Sequence, residues 1–251
     1  MKIVIIGSGN VATVLGRLFK KKGFEILQVV SRNLNHAELL SKELLSGYTD
    51  YDGIIDSRAD IYIMALSDKA FAQEFSFLKL TSKIVVHTAA SVSIEVLKPF
   101  SPNYGVLYPL QTLSKHQYDI PDIPFLIEAS NQETLIAIRD LATKISDQVE
   151  IMDENSRQKI HVAAVMVNNF TNHLLALAEK YCIAEHINFD LLRPLIIETT
   201  NKILHTSPIM AQTGPAKRKD IVTIEQHLRL LEKHPQLREL YNKFSESIIN
   251  T

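Results

Sequence analysis

Hydrophobic and polar positions follow two rhythms along this chain, and the rhythm changes once. In the first part, short β-branched runs recur at residues 2–6, 26–30, 61–66, 84–87, 125–128 and 149–152. Their near-continuous apolar character predicts strands buried on both faces, as in a parallel sheet. Helical spacing alternates with the early runs. Val11, Val14, Leu15, Leu18 and Phe19 form an apolar stripe, and Lys20, Lys21, Lys22 and Gly23 supply a basic last turn and a glycine stop. Asn35 and Glu38 read as a capping box for a second helix. Phe71, Phe75 and Leu78 give the stripe of a third. Strands alternating with helices predict an α/β domain with a mostly parallel, doubly wound sheet.

After Asp153 no strand-like run remains. Residues 155–185 carry one long helical pattern, with Ala163, Ala164, Val167, Leu174, Leu177, Ala178 and Tyr181 apolar. Further helices are expected from Pro194 to just before Ser207-Pro208, from a Thr223/Gln226 capping box, and from His234-Pro235 onward. Seven of the eight glycines lie in the first 105 residues, and Gly214 alone follows. The expected division is an α/β domain at 1–153 and an all-α domain at 154–251, joined without a Gly/Ser linker.

The first strand runs directly into Gly7-Ser8-Gly9-Asn10-Val11-Ala12, which opens the first helix. This is the Gly-x-Gly-x-x-Gly/Ala pattern in its proper strand-turn-helix setting. Gly7 permits the tight turn, Gly9 lets backbone approach a pyrophosphate, and Ala12 lets helix and sheet pack closely. The amides of Ser8, Asn10 and Val11 and the positive end of the helix attract phosphate. A dinucleotide is the expected ligand. The second strand ends in Ser31-Arg32, where an NAD site usually carries Asp or Glu for the ribose hydroxyls. A guanidinium there can bind a 2′-phosphate in bidentate fashion, so the expected cofactor is NADP rather than NAD.

Composition narrows the remaining classes. With 27 basic and 28 acidic residues the net charge is −1, which gives no basic face for nucleic acid. No apolar run reaches the ~18 residues of a membrane span, and the apolar start is too short for a signal peptide. The single cysteine, Cys182, excludes an intrachain disulfide and a Cys-rich zinc site, which fits a cytoplasmic protein. Nine scattered histidines form no metal-binding pattern, and no Gly-x-Ser-x-Gly elbow appears.

Several motifs together resemble a known family. They are the Gly7-to-Ala12 loop, the segment from Ala59 to Asp68, His87-Thr88-Ala89-Ala90-Ser91, Tyr108-Pro109-Leu110-Gln111-Thr112, the helix from His161 to His173, and the segment from Gln212 to Asp220. Nearly the whole chain resembles the NADP oxidoreductases that join a Rossmann-like domain to a C-terminal domain of unknown function (family 2520). The plan is similar to that of pyrroline-5-carboxylate reductase and the β-hydroxyacid dehydrogenases. The helical part resembles the C-terminal domain of 6-phosphogluconate dehydrogenase. The resemblance implies a reductase, dimeric through its helical domain, and supplies no substrate. The hydroxyacid dehydrogenases place a catalytic Lys four residues before an Asn. Here Lys159 is followed at that spacing by Ala163, and Asn168 is preceded by Ala164. That departure favours carbonyl or imine reduction over hydroxyacid oxidation.

In an open parallel sheet the ligand lies beyond the carboxyl ends of the strands. Leu66 and Ser67 are expected beside the cofactor ribose, and the segment from His87 to Ser91 near the nicotinamide. His87 can donate a proton to a carbonyl or imine, or can cap the sheet edge through backbone hydrogen bonds. Gln111 can bind a substrate oxygen or can only fix a turn. On the long helix His161, Asn168 and Asn172 share one face at α-helical spacing, and His161 and Asn168 are catalytic candidates. Arg218, beside Gly214-Pro215, can clamp an anionic substrate, or can be part of a solvated charge run. The substrate cleft is expected between the two domains, with Ser91 and Gln111 lining it. The competing expectations are a non-catalytic NADP(H) sensor acting through an interaction partner, and a helical dimerisation protein with a vestigial nucleotide half. Long apolar helical stripes favour a homodimer in each case.

Overall fold

The computed structural model describes residues 1–72, 80 and 83–251. The chain packs as two compact units, Met1–Asn168 and Asn169–Thr251.

The first unit is built on an eight-stranded sheet: β1 (Lys2–Ile6), β2 (Glu25–Val30), β3 (Gly47–Thr49), β4 (Ile61–Met64), β5 (Ile84–His87), β6 (Tyr104–Pro109), β7 (Phe125–Ala129) and β8 (Val149–Ile151). The strand order is β3-β2-β1-β4-β5-β6-β7-β8. Every pairing is parallel except β6 with β7. The central strands alternate between two cores, as buried β-branched runs must. Ile3, Ile5, Ile61 and Ile63 face a core filled by helices α1 (Asn10–Lys21), α2 (Leu34–Leu44) and α3 (Gln132–Ile145). Val4, Ile6, Tyr62 and Met64 face the other core, closed by Ala59, Leu80 and the 3-10 turn Ile94–Leu97.

The apolar stripe and basic end of α1 appear as expected, and Gly23 takes φ +81° beyond it. The second helix starts two residues earlier than its expected capping box. Asn33, not Asn35, is the cap: its side-chain oxygen accepts the His36 N–H at 3.1 Å. Of the third expected stripe, Phe71 lies in the 3-10 helix Asp68–Ala72, and Phe75 and Leu78 fall outside the described residues. The edge strand β3 is too short for its three residues to stand out by periodicity.

Secondary structure turns wholly helical at Asp153, whose carboxylate caps α4 (Glu154–Ala164) by accepting the Ser156 N–H at 2.7 Å. Packing divides later, because α4 belongs to the sheet unit. Its Ile160 packs against Ala90, Val106, Tyr108 and Leu126, and its Arg157 is fully buried. A π-helical turn, Val165–Phe170, follows α4. Its i→i+5 bonding breaks the α-helical phase, so the face expected to join His161, Asn168 and Asn172 does not continue at that spacing.

The second unit contains α5 (Thr171–Ala184), α6 (Arg193–His205), α7 (Pro208–Ala211), α8 (Ile221–Leu230) and α9 (Pro235–Ile249). Pro194 sits in the first turn of α6, as expected. The cap of α8 is Asp220 rather than Thr223; the Asp220 carboxylate accepts both the N–H and the hydroxyl of Thr223. Few side chains are buried in this unit, among them Leu177, Cys182, Ile224 and Leu231. Helix α6 buries none of its residues. No helix among the described residues is long and apolar enough to cross a membrane.

Candidate dinucleotide-binding and active site

The carboxyl ends of β1, β2 and β4 converge on a cavity of about 530 Å³ lined by the glycine loop, Ser31 to Asn33, His36, Tyr51 and the segment from Ala65 to Ala70. Gly7 makes this convergence possible. Its φ is +130°, and a Cβ there would lie 2.2 Å from the Ala65 carbonyl oxygen, so only glycine lets β1 end against β4. Gly9 has open space at its Cβ position, with nothing within 4 Å. Gly9 also caps α1 with no side-chain hydrogen bond, which leaves the first-turn amides without a side-chain acceptor. A cradle of free amides with room above it fits a pyrophosphate. The Ser8 and Ser31 hydroxyls are 2.7 Å apart, tying the loop to the end of β2. One hydroxyl hydrogen serves that bond, and the other remains to donate.

Further along the same sheet edge, β5 ends in His87 and β6 in Tyr108 and Pro109, with Val106 paired to His87. His87 is fully buried. Its Nδ1 accepts the Ala89 N–H at 3.2 Å, and its Nε2 has no hydrogen-bond partner among the described residues. Burial, and next the nearby Arg157 charge, push its pKa down to about 3. The ring is therefore neutral at physiological pH, and it meets Phe71 edge-on at 5.4 Å. The Ala89 bond ties the ring to the turn after β5.

Tyr108 presents a different picture. Its hydroxyl lies 3.0 Å from Nδ1 of His161, with the two rings in edge-to-face contact at 6.1 Å. Burial first, and the charge of Asp68 second, hold the phenol pKa above its ordinary value, so it keeps its proton at neutral pH. His161 is only half-buried, which leaves the pair a route to solvent. Beneath them Arg157 donates to the carbonyls of Ala90 at 3.1 Å and Val92 at 3.0 Å, and pairs with the Glu128 carboxylate on β7. One side chain thus fixes the segment after β5 to both β7 and α4.

Residues 2–91 match the family model described as NADP oxidoreductase coenzyme F420-dependent, and residues 123–248 match the domain of unknown function DUF2520. A Bacteroides fragilis protein assigned provisionally as an NADP oxidoreductase is 39% identical, covers 100% of this chain and 98% of its own, and superposes with a TM-score of 0.91. The chain belongs to the DUF2520 family of NADP oxidoreductases. It shares its fold with two more distant structures. The 1-pyrroline-5-carboxylate reductase of Streptococcus pyogenes is 16% identical at TM-score 0.65, with 100% of this chain and 99% of that one covered. An imine reductase of Myxococcus stipitatus in complex with NADP+ is 16% identical at TM-score 0.62, with 100% and 92% covered. No curated protein matches the chain in sequence.

In this oxidoreductase the expected cofactor residues Gly7, Ser8, Gly9, Ser31, Arg32, Leu66 and Ser67 line one cavity, whereas the side chain of Val11, also expected there, packs against the core of the first unit. Asn10 does not face it through its side chain, whose oxygen accepts the Lys115 N–H at 3.1 Å. Arg17 adds bonds to the carbonyls of Lys115 and Gln117, so the chain after β6 is strapped across α1. Gln111 is committed locally: its oxygen accepts the Thr112 N–H at 2.9 Å and its nitrogen donates to the Asp122 carbonyl at 3.1 Å. It fixes a turn. Ser91 and Asn168 are exposed in the first unit, and Arg218 is exposed in the second. Sequence reasoning missed Asn33, His36, Tyr51 and Lys69 in the cavity wall, and Tyr108 as the partner of His161. Tyr108 stood within a recognised motif and is an ordinary proton donor, which was the available signal.

Proposed function

We propose that this NADP oxidoreductase reduces a small carbonyl or imine compound, with Tyr108 and His161 delivering the proton. The observation that carries this reading is the 3.0 Å bond between the Tyr108 hydroxyl and His161 Nδ1 at the carboxyl edge of the sheet. Bound NADPH supplies the hydride. The carbonyl oxygen or imine nitrogen then needs one proton. With His161 in the Nδ1–H tautomer, its N–H donates to Tyr108 Oη, and the Tyr108 O–H is free to give its proton to the substrate heteroatom. The resulting phenolate takes the Nδ1 proton of His161 as Nε2 of the half-buried ring takes one from solvent, so the imidazole ends as its other neutral tautomer. His87, neutral and buried, shapes the floor and holds the turn after β5. The imine chemistry of two fold relatives, a pyrroline-5-carboxylate reductase and an imine reductase, supports the imine half of the proposed class.

The remaining assignments belong to the same reading. Asn168 and Ser91 contact substrate, Arg218 selects an anionic one, and the helical part at 154–251 serves substrate binding and dimerisation. Homodimer formation is supported by the second unit's surface, where Leu195, Ile197, Leu204, Ile209 and Met210 are each more than half exposed. Apolar exposure on that scale is covered by a partner in stable proteins, and a two-fold dimer is the commonest solution. Light scattering of the full chain tests it; a monomer at micromolar concentration overturns it.

The activity test is oxidation of NADPH against a set of cyclic imines and small keto compounds, followed by optical absorbance. Turnover that falls sharply in Tyr108→Phe supports the reading. Tight NADPH binding with no turnover of any compound in the set makes the protein a cofactor-binding module instead.

A further inference from the structure

The segment between β6 and β7 is a closed loop laid along α1. At its neck the Leu110 N–H donates to the Pro124 carbonyl at 2.8 Å, and the Gln111 side chain donates to the Asp122 carbonyl at 3.1 Å. Leu113 and Ile120 pack against the core that α1 also fills. Within this strap the backbone of Lys115 is held on both sides. Its N–H donates to Asn10 Oδ1 at 3.1 Å, and its carbonyl accepts from Arg17 at 2.8 Å. Asn10 and Arg17, two turns apart on α1, share one face of that helix. The Arg17 side chain is only 13% exposed and pairs with Glu43 on α2. It also donates to the Gln117 carbonyl at 3.1 Å and lies 4.7 Å from the centre of the Tyr118 ring.

The Lys115 side chain, by contrast, is exposed and forms no ion pair among the described residues. No carboxylate occurs in the stretch from Ser114 to Tyr118 around it. Asn10 is the first residue of α1, and its backbone belongs to the amide cradle. Lys115 is therefore fixed one asparagine side chain and one hydrogen bond from that cradle, at the positive end of the helix. A cation held at that end is disfavoured by the helix dipole unless an anion joins it. We propose that Lys115 is a ligand of the cofactor's pyrophosphate, delivered by the strap, and that Asn10 and Arg17 are the positioning residues that hold the strap in place. This inference rests on the dinucleotide site at the glycine loop. The cradle's amides are neutral donors, and an ammonium on a flexible four-carbon stem adds the net charge that two ionised phosphates call for. Coupling between the two is reciprocal, so a bound pyrophosphate should in turn tighten the strap.

The test is calorimetric titration of the full chain with two nicotinamide-free probes. One is 2′-phospho-ADP-ribose, which keeps the pyrophosphate; the other is adenosine 2′-monophosphate, which lacks it. Lys115→Met is expected to weaken binding of the first by about 5-fold or more and to flatten its salt dependence, while the second binds as before. Lys115→Arg should keep the affinity. Lys144→Met, which removes an exposed cation on α3, should change neither. Arg17→Met should weaken 2′-phospho-ADP-ribose by a similar factor. In the unsubstituted chain this probe should slow amide exchange over residues 113–118. Undiminished binding in Lys115→Met overturns the assignment and leaves the dinucleotide site intact, as does an equal loss for both probes. An Arg17→Met chain that exchanges faster over 113–118 yet binds as tightly overturns the positioning role and makes the strap purely structural. An unsubstituted chain that binds both probes equally overturns the pyrophosphate cradle itself.

Discussion

The Tyr108 hydroxyl and the His161 imidazole meet at 3.0 Å although 53 positions separate them in the chain. β6 delivers one and α4 the other, and Ile160 on α4 packs against the apolar cluster that Tyr108 shares with Ala90, Val106 and Leu126. If this pair moves the proton, Tyr108→Phe keeps the ring contact and removes only the acid. The expected loss in kcat is on the order of 10²-fold or more, the usual scale for a positioned general acid. NADPH affinity, followed by fluorescence titration, should not change. A Tyr108→Phe enzyme with full turnover places the acid elsewhere.

The two glycines of the loop should fail in different ways. Gly7→Ala forces a Cβ against the Ala65 carbonyl in a left-handed conformation, so it should lower folding stability by ~2 kcal/mol or more. Gly9→Ala meets open space at φ −84°, so the folded chain should melt as before, within ~0.5 kcal/mol. Its methyl fills the space reserved for the pyrophosphate, and NADPH affinity should drop by about 10-fold or more. Thermal melts of both variants with and without NADPH separate the two effects.

Arg157 is expected to be the costliest polar side chain to remove from the first unit. Arg157→Leu leaves the Glu128 carboxylate without its partner and two loop carbonyls without their donor. Breaking one side of a buried pair typically costs about 3–5 kcal/mol. Urea denaturation measures it. Arg157→Leu/Glu128→Leu should recover part of the loss, because the stranded charge is gone; a double variant as unstable as the sum of the singles contradicts that account.

His87 makes the fold sensitive to acid. Folded, it resists protonation down to about pH 3, while unfolded it titrates near 6.5. Between those values the unfolded chain binds one proton more, so stability is intact above the upper value and falls as pH drops. The contribution is at most ~1.4 kcal/mol per pH unit. His87→Leu should flatten the dependence of unfolding free energy on pH between about 6.5 and about 4. An unchanged slope in the variant would mean that other groups carry the acid response.

What could be read in advance was read from local signals. The Gly7-to-Ala12 loop announces itself because the chemistry of a strand-turn-helix phosphate site lies within six consecutive residues. Ser31 and Arg32 follow because a strand ends where its apolar run ends. Arg157 gave no such warning. It sits in the polar run Glu154-Asn155-Ser156-Arg157-Gln158-Lys159, which reads as a solvated first turn, yet it is wholly buried. The cap of α2 shows the same limit on a smaller scale. Asn33 and Asn35 are equivalent as residue types, and the start of the helix depends on which register turns Ala37 and Leu40 onto the sheet.

The sequence by itself determined the α/β half, the helical half, the dinucleotide loop and the basic residue after β2, because hydrophobic period, glycine placement and strand ends are properties of neighbours along the chain. Tertiary structure decided the rest. It chose the neutral, buried state of His87, drew Tyr108 to His161, bonded the Gln111 amide to Thr112 and Asp122, and set His36 and Lys69 on the wall with Arg32. Each of those outcomes depends on desolvation or on a partner distant in sequence. Such energies exist only once the sheet has brought the segments together, so no local pattern can carry them.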